Sequence, residues 1–118
     1  MSFSFKNDAP IYLQIIEHIK MQIISKAYKP NDKLPSVREL SCIYEVNPNT
    51  VQKALAELEM EGLIYTERTN GKFVTGDSLV IQKATNDTVD KMVDEFLNSM
   101  QSIGISKSEA IKILGEKD

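Results

Sequence analysis

The chain is poor in the residues that stabilise small domains through covalent or metal cross-links. Its 118 residues include one cysteine, Cys42, one histidine, His18, and no tryptophan. A single cysteine cannot form a disulfide within the chain, and one cysteine with one histidine cannot assemble a zinc site of the Cys/His type. We therefore expect neither a structural disulfide nor a structural metal, and the fold must depend on an apolar core.

Long apolar runs are also missing. The amino-terminal residues reach the charged Lys6 and Asp8 before the apolar core of a signal peptide could form. No later run approaches the roughly 20 apolar residues that a helix needs to cross a bilayer. We expect a cytoplasmic protein without a membrane partner. Because no set of nucleophile, base and orienting residue is recognisable, the sequence also argues against an enzyme, and it predicts no cofactor.

The formal charge of −3 is unfavourable for binding to nucleic acid, but it is unevenly distributed. Through Gly76, nine lysines and arginines balance nine acidic residues, whereas residues 77–118 hold five basic and eight acidic residues. The length allows one small domain and an appendage. We therefore predict a compact domain over residues 1–76 and a separate tail over residues 77–118.

Three helices are predicted in the first part. The first follows Asp8-Ala9-Pro10, an acidic cap and a proline that suits a first helical turn. The second begins at Ser36, because Ser36 and Glu39 have the spacing of a capping box. The third begins after Asn47, a favourable N-cap that is followed by a proline at the first helical position. Because only a short turn separates the second helix from the third, the two form a helix-turn-helix.

The third helix has an apolar face and a polar face. The apolar face consists of Val51, Ala54, Leu55 and Leu58. On the polar face, Asn49 and Gln52 can present paired donor and acceptor groups to adenine, and Lys53 can reach guanine or phosphate. Thr50 suits a phosphate together with the free N–H groups of the helix start, and Arg38 can reach a phosphate from the second helix.

A β-hairpin is predicted after the third helix. Gly62 ends the helix, and strand-forming residues at 63–66 and 73–75 flank Asn70-Gly71. Asn-Gly favours a two-residue turn, because both residues tolerate a positive φ. Arg68 and Lys72 flank the small tip and can enter a minor groove. If the amino end of the third helix docks first, the glutamates at 57, 59 and 61 point away from the duplex.

These segments together resemble the winged-helix domain of the GntR family of bacterial transcription regulators. The resemblance is carried by Pro10–Ile15, Leu34–Leu40, Val46–Val51, Leu58–Ile64 and Gly71–Val74. It implies a mainly α fold with a small β wing, a winged helix-turn-helix. It also implies DNA contacts from Ser36, Arg38, Asn47, Asn49, Thr50, Gln52 and Lys53, and from Arg68, Gly71 and Lys72 of the wing.

The tail resembles that of the short subfamily named for YtrA, since its 42 residues cannot bury a cavity-bearing core. An apolar stripe at helical spacing predicts a long helix: Val89, Met92, Val93, Phe96, Leu97, Met100 and Ile103. After Gly104, a capping box of Ser106 and Glu109 begins a shorter helix. The polar Gln82 and Asn86 leave the start of the long helix open. We expect this tail to pack on a second copy; the alternative is that it folds back on its own winged domain.

The expected function is binding of a palindromic operator by a homodimer that represses transcription by excluding polymerase. Recognition helices about 34 Å apart would meet successive major-groove faces of such a site. The resemblance implies that the targets include the chain's own operon and an ABC-transporter operon. Two other functions stay open: a winged helix that binds protein, and a sensor that uses Cys42, one turn from Arg38, or a ligand crevice between tails. The sequence specifies no operator and no small-molecule effector.

Overall fold

The computed structural model describes residues 3–118, and helices dominate this part of the chain. Its elements are α1 (Ile11–Ile24), α2 (Val37–Tyr44), α3 (Pro48–Met60), β1 (Ile64–Glu67), β2 (Gly71–Val74), α4 (Ser78–Ser102) and α5 (Lys107–Gly115). β1 and β2 pair antiparallel as a hairpin directly after α3. The predicted fold class, a winged helix-turn-helix followed by two carboxyl-terminal helices, is confirmed.

Two compact units divide the chain within α4. The winged unit extends to Ala84, and the tail unit is Thr85–Asp118. Residues 78–84 of α4 belong to the winged unit because Val80, Ile81 and Ala84 pack against its core. This division by packing lies later in the chain than the predicted boundary after Gly76. The independence of residues 1–76 as a folding domain stays a prediction.

The core of the winged unit holds α2 and α3 against α1 and the hairpin. The largest fully buried side chains are Ile15, Ile19, Ile23, Leu40, Val51, Leu55, Leu58, Leu63, Ile64 and Val74. Burial of one such aliphatic side chain stabilises a fold by about 1.5–3 kcal/mol. The predicted apolar face of α3 is fully buried, so its opposite face is the one that must be exposed.

The starts of α2 and α3 have the predicted caps. The Glu39 N–H donates to Oγ of Ser36 at 3.1 Å, and the Ser36 N–H donates to the Glu39 carboxylate at 2.9 Å. At α3, the Asn49 N–H donates to Oδ1 of Asn47 at 2.8 Å, and Pro48 is the first helical residue. Each cap satisfies backbone groups that the helix cannot satisfy itself, and so fixes the residue at which the helix begins.

The predicted acidic cap of α1 is wrong. Pro10 occupies the N-cap position without a side-chain hydrogen bond, which leaves Asp8 too early in the chain to cap the helix. The side chain of Gln14 holds the incoming segment instead. Its Oε1 accepts from the Lys6 N–H, and its Nε2 donates to the carbonyls of Lys6 and Ala9, at 2.8–2.9 Å.

An aromatic cluster joins the amino-terminal segment to α1 and α2. The rings of Phe3 and His18 are 4.5 Å apart, and those of Phe3 and Tyr44 are 5.4 Å apart. Nδ1 of His18 lies 2.7 Å from the hydroxyl of Tyr44. Burial lowers the pKa of His18 and raises the pKa of Tyr44 to about 12. His18 is thus a half-buried hydrogen-bonding partner of Tyr44.

The predicted two-residue turn of the hairpin is also wrong. Glu67 pairs with Gly71, so Arg68, Thr69 and Asn70 form a three-residue loop. Gly71 has a φ of +100°, whereas Asn70 is not among the residues with positive φ. The Asn70 N–H and side-chain amide donate to the carbonyl and carboxylate of Glu67, each at 3.1 Å. These two bonds favour a turn over residues 67–70, and only the following glycine takes the positive φ.

The tail unit consists of the rest of α4 and all of α5. α4 begins at Ser78, so the open question about residues 79–81 is answered in favour of helix. Ile103 lies beyond the end of α4 and is therefore not on its helical stripe. At α5, Ser106 accepts from the Glu109 N–H at 3.2 Å, but Glu109 does not cap in return. The Glu109 carboxylate instead faces the Ser106 hydroxyl at 3.5 Å, so only half of the predicted capping box forms.

Candidate nucleic-acid interface

The start of α2, the exposed face of α3 and the wing border one groove of about 560 Å³. Gln52 of α3 and Lys72 of β2 both line this groove. The other lining residues are Val37, Ala56, Glu59 and Met60. A base-reading candidate and a phosphate-binding candidate, far apart in sequence, thus face the same space.

The other polar residues of α3 open toward α1. Asn49, Thr50 and Lys53 border a shallow concavity of about 400 Å³ together with Ile11 and Tyr12. Asn49, Gln52 and Lys53 are all exposed. The exposed face of α3 therefore presents Gln52 toward the wing, and Asn49 and Lys53 toward α1.

Ser36 and Asn47 are committed to the helix caps through their side-chain oxygens. Asn47 still has a donor, its side-chain amide, that can face a phosphate. Bonds from the backbone and then the side chain of Ser36 lower the pKa of Glu39, and the charge of Lys33 contributes less. The exposed Arg38 lies in the same first turn of α2.

The two basic residues of the wing differ in their surroundings. Arg68 is exposed in the loop, whereas the ammonium of Lys72 lies 3.0 Å from the Glu59 carboxylate. Glu59 thus lies on the groove that Gln52 lines, contrary to the expectation that it would lie on a remote face. Glu61 does turn elsewhere, to Lys20 of α1 at 3.0 Å.

Comparison with known proteins identifies the domain. Residues 11–74, from α1 to the end of β2, match the model of the bacterial regulatory proteins of the gntR family. The chain belongs to the GntR family. Its members are transcription regulators, so this chain is a DNA-binding transcriptional regulator and not an enzyme.

Three relatives show how far the similarity to known GntR proteins extends. The transcriptional repressor YtrA of Bacillus subtilis is 50% identical over 70 residues, which cover 59% of this chain and 54% of YtrA. A GntR family regulator from Listeria monocytogenes is similar over 97% of this chain and 100% of its own, with 39% identity and a TM-score of 0.86. The DNA-binding domain of AraR, solved with operator ORX1, covers 61% of this chain and 93% of its own, with 30% identity and a TM-score of 0.58.

Lys33 lies beside the wing of this GntR domain, and sequence reasoning missed it as a candidate. Lys33 pairs with Phe73 in an isolated β-bridge, and the Leu34 N–H donates to the Lys72 carbonyl at 2.9 Å. The Cε of Lys33 lies 3.4 Å from where a Cβ on Gly71 would be. Its position shortly after Pro30, among short polar residues, indicated only a loop, so nothing local in the sequence could reveal this contact.

Tyr12 is a second residue that sequence reasoning missed. The Lys53 ammonium lies 3.8 Å from the centroid of the Tyr12 ring. A cation–π contact of this kind contributes about 0.5–1 kcal/mol at an exposed site. The helical spacing of α1 indicated a core residue, but Tyr12 is half-buried and orients one of the candidate base-reading side chains.

Three cations of the GntR surface are available for phosphates. Within residues 3–118, ion pairs engage Lys20 and Lys72, and none engages Lys33, Arg38 or Arg68.

Cys42 is exposed on α2, one turn from Arg38. The described residues contain no cluster of three His, Cys, Asp or Glu side chains that could hold a metal ion. No described helix combines the length and apolar character needed to span a membrane.

Proposed function

We propose that the chain is a dimeric repressor in the bacterial cytoplasm, which binds a palindromic operator through its winged unit. The observation that carries this proposal is the exposed polar face of α3, bordered by Val37 at the start of α2 and by Lys72 of the wing. The buried core faces the other side of α3, so this polar face is free to enter a major groove.

Base reading is assigned to the exposed side chains of α3. Asn49 and Gln52 each have the amide that pairs with the edge of adenine, and Lys53 has the donor that guanine accepts. Phosphate contacts are assigned to the residues around them: Ser36, Arg38, Asn47 and Thr50. The wing residues Arg68 and Gly71 are assigned to the minor groove, and Lys72 to the phosphates that border it.

Dimerisation is assigned to the tail, because its apolar residues are exposed in a single copy. The exposed fractions of Val89, Met92, Val93 and Phe96 are 50%, 55%, 49% and 39%. A groove of about 330 Å³ lies between α4 and α5, lined by Met92, Val93, Phe96, Leu97, Lys107, Ala110, Ile111 and Leu114. Burial of such apolar surface contributes a favourable free energy of about 25 cal/mol for each Å² removed from water. A second copy of the same tail supplies the matching apolar surface.

Repression follows from occupancy of the operator, which excludes polymerase from overlapping DNA. The name of YtrA describes a repressor, and the AraR structure contains an operator. The regulated genes that we propose, the chain's own operon and an ABC-transporter operon, rest on the family resemblance alone.

Substitutions on α3 test the base-reading assignment. Asn49→Ala and Gln52→Ala should each weaken operator binding by about 1–3 kcal/mol, with much smaller losses on random duplex. Asn98→Ala, on the polar side of α4, is the matched control and should leave both affinities unchanged. Equal losses on operator and random DNA for Gln52→Ala would contradict the assignment.

The wing is tested by the salt dependence of binding. Lys72→Ala should weaken operator and random duplex to a similar degree, because a phosphate contact carries no sequence information. It should also reduce the slope of log affinity against log salt, by at most the roughly 0.9 expected for one phosphate contact. A loss confined to the operator would mean that Lys72 reads bases.

A further inference from the structure

Glu59 joins α3 to both strands of the wing. Its Oε1 accepts from the Thr66 hydroxyl of β1 at 2.8 Å and from the Lys72 ammonium of β2 at 3.0 Å. The Lys72 ammonium also donates to the Thr66 hydroxyl at 2.8 Å. Thr66 and Lys72 are directly opposite each other in the hairpin, so the three side chains form a closed triangle.

This triangle distinguishes Lys72 from the other cations of the surface. Lys33, Arg38 and Arg68 have no ion pair among the described residues, whereas Lys72 is already neutralised by a carboxylate. The Lys72 and Glu59 side chains are 28% and 41% exposed, so both can be reached from solvent. The hydrogen bonds from Thr66 and then Lys72 lower the pKa of Glu59, which keeps it ionised at neutral pH.

We propose that Glu59 is a positioning residue that competes with DNA phosphate for Lys72 and thereby limits the sequence-independent affinity of the protein. This inference rests on the proposed function, in which Lys72 contacts the phosphate backbone. In the free protein, Glu59 occupies the place that a phosphate oxygen would take. Binding of any duplex must therefore exchange one anion for another at Lys72, while the unpaired cations bind phosphate without such competition.

The exchange is feasible because the competing ion pair is weak. Partly exposed salt bridges contribute little to stability, since solvent screens the charges and both side chains lose freedom. Binding of the duplex is favoured, in addition, by the release of counterions when a lysine neutralises a phosphate. Glu59 thus weakens binding without preventing it, and it does so equally for specific and random sequences.

Glu59→Gln is the decisive variant. The amide keeps an acceptor oxygen for Thr66 and Lys72, so the wing retains its position, but the competing charge is gone. Random duplex should bind about two- to fivefold more tightly, the range that an exposed pair contributes. The slope of log affinity against log salt should become steeper by part of the roughly 0.9 expected for one phosphate, because Lys72 no longer divides its charge between Glu59 and that phosphate.

Two controls separate this effect from a general change in charge. Glu57→Gln removes the same charge from the same helix, at a carboxylate with no ion pair among the described residues, and should leave the slope unchanged. In a Lys72→Met background, Glu59→Gln should change affinity no more than Glu57→Gln does. Without DNA, an NMR titration should place the pKa of Glu59 below its ordinary value, and Lys72→Met should move it part of the way back, because the Thr66 hydrogen bond remains.

The possible results separate this inference from the proposed function. A wild-type chain that binds no duplex rejects the proposed function. If the wild type binds, an unchanged or weaker affinity of Glu59→Gln for random duplex overturns the inference alone. A gain that persists in the Lys72→Met background, or an ordinary pKa for Glu59 in the free protein, also overturns it.

Discussion

The winged unit and the tail unit differ in how far their apolar side chains are buried. In the winged unit, buried side chains from α1, α2, α3, the hairpin and the first turns of α4 form one core cluster. In the tail, Thr85–Asp118, Ala110 is the one buried residue, and large apolar side chains such as Met92, Ile111 and Leu114 are more than half exposed. The winged unit can therefore exclude water by itself, whereas the tail requires a partner surface to do so.

This difference in burial assigns a different role to each unit of this GntR regulator. The self-sufficient unit carries the polar face that we propose reads DNA, and its geometry depends on its own core. The tail displays an apolar face whose burial requires a second surface, which we assign to a second copy. If this division is correct, substitutions in one unit should affect folding of a single chain, and substitutions in the other should affect association.

The largest effect is expected in the winged core. Leu55→Ala removes a side chain that is 1% exposed and should lower the free energy of unfolding by about 2–5 kcal/mol. Urea denaturation measures this loss. Leu79→Ala, at a position that is 78% exposed, is the matched control and should change stability by less than about 0.5 kcal/mol. A small loss of unfolding free energy for Leu55→Ala would contradict the difference that we draw between the two units.

A charge on the tail face should affect association. Phe96→Glu places a carboxylate among apolar side chains and should raise the dimer dissociation constant at least tenfold, or about 1.4 kcal/mol. Asn98→Glu adds the same charge to the polar side of α4 and should leave the dimer intact. Analytical ultracentrifugation at micromolar concentration distinguishes the two. Sedimentation of the wild-type chain as a monomer would contradict the proposed dimer and would favour a tail that folds back on its own winged domain.

The smallest effect is expected from pH. Burial lowers the pKa of His18 in the folded chain, so acidification protonates the unfolded chain first. The contribution of neutral His18 to the free energy of unfolding is complete above the ordinary histidine pKa, near 6.5, and is lost as pH falls below it. His18→Asn should therefore reduce the loss of stability between about pH 7.5 and pH 5.5. An identical pH dependence for both proteins would show that His18 does not contribute.

Local signals predicted the starts of α2 and α3 and the buried face of α3. Ser36 and Asn47 cap their helices through residues two or three positions away, so the sequence contains the whole interaction. The apolar spacing of α3 is likewise a local pattern, and it identified Val51 and Leu55 as buried. The same spacing in α4 was harder to interpret, because Val80, Ile81 and Ala84 of this helix pack on the winged core.

Interactions between distant residues could not be predicted in this way. The Glu59–Lys72 pair, the position of Lys33 beside the wing and the contact of Lys53 with Tyr12 all join separate elements. Their existence depends on how α1, α3 and the hairpin pack, which no spacing reveals. The prediction of the hairpin turn was wrong for a different, local reason: Asn-Gly permits a two-residue turn, but the bonds from Asn70 to Glu67 favour a longer loop.

Selection of bound fragments from genomic DNA tests the central claim most directly, with the number of chains on each recovered site measured by sedimentation. We predict an inverted repeat whose half-site centres are about 10 base pairs apart, or a multiple of that spacing, with two chains on each site. Recovery of no preferred sequence at physiological salt, or of a single half-site that holds one chain, would contradict the account.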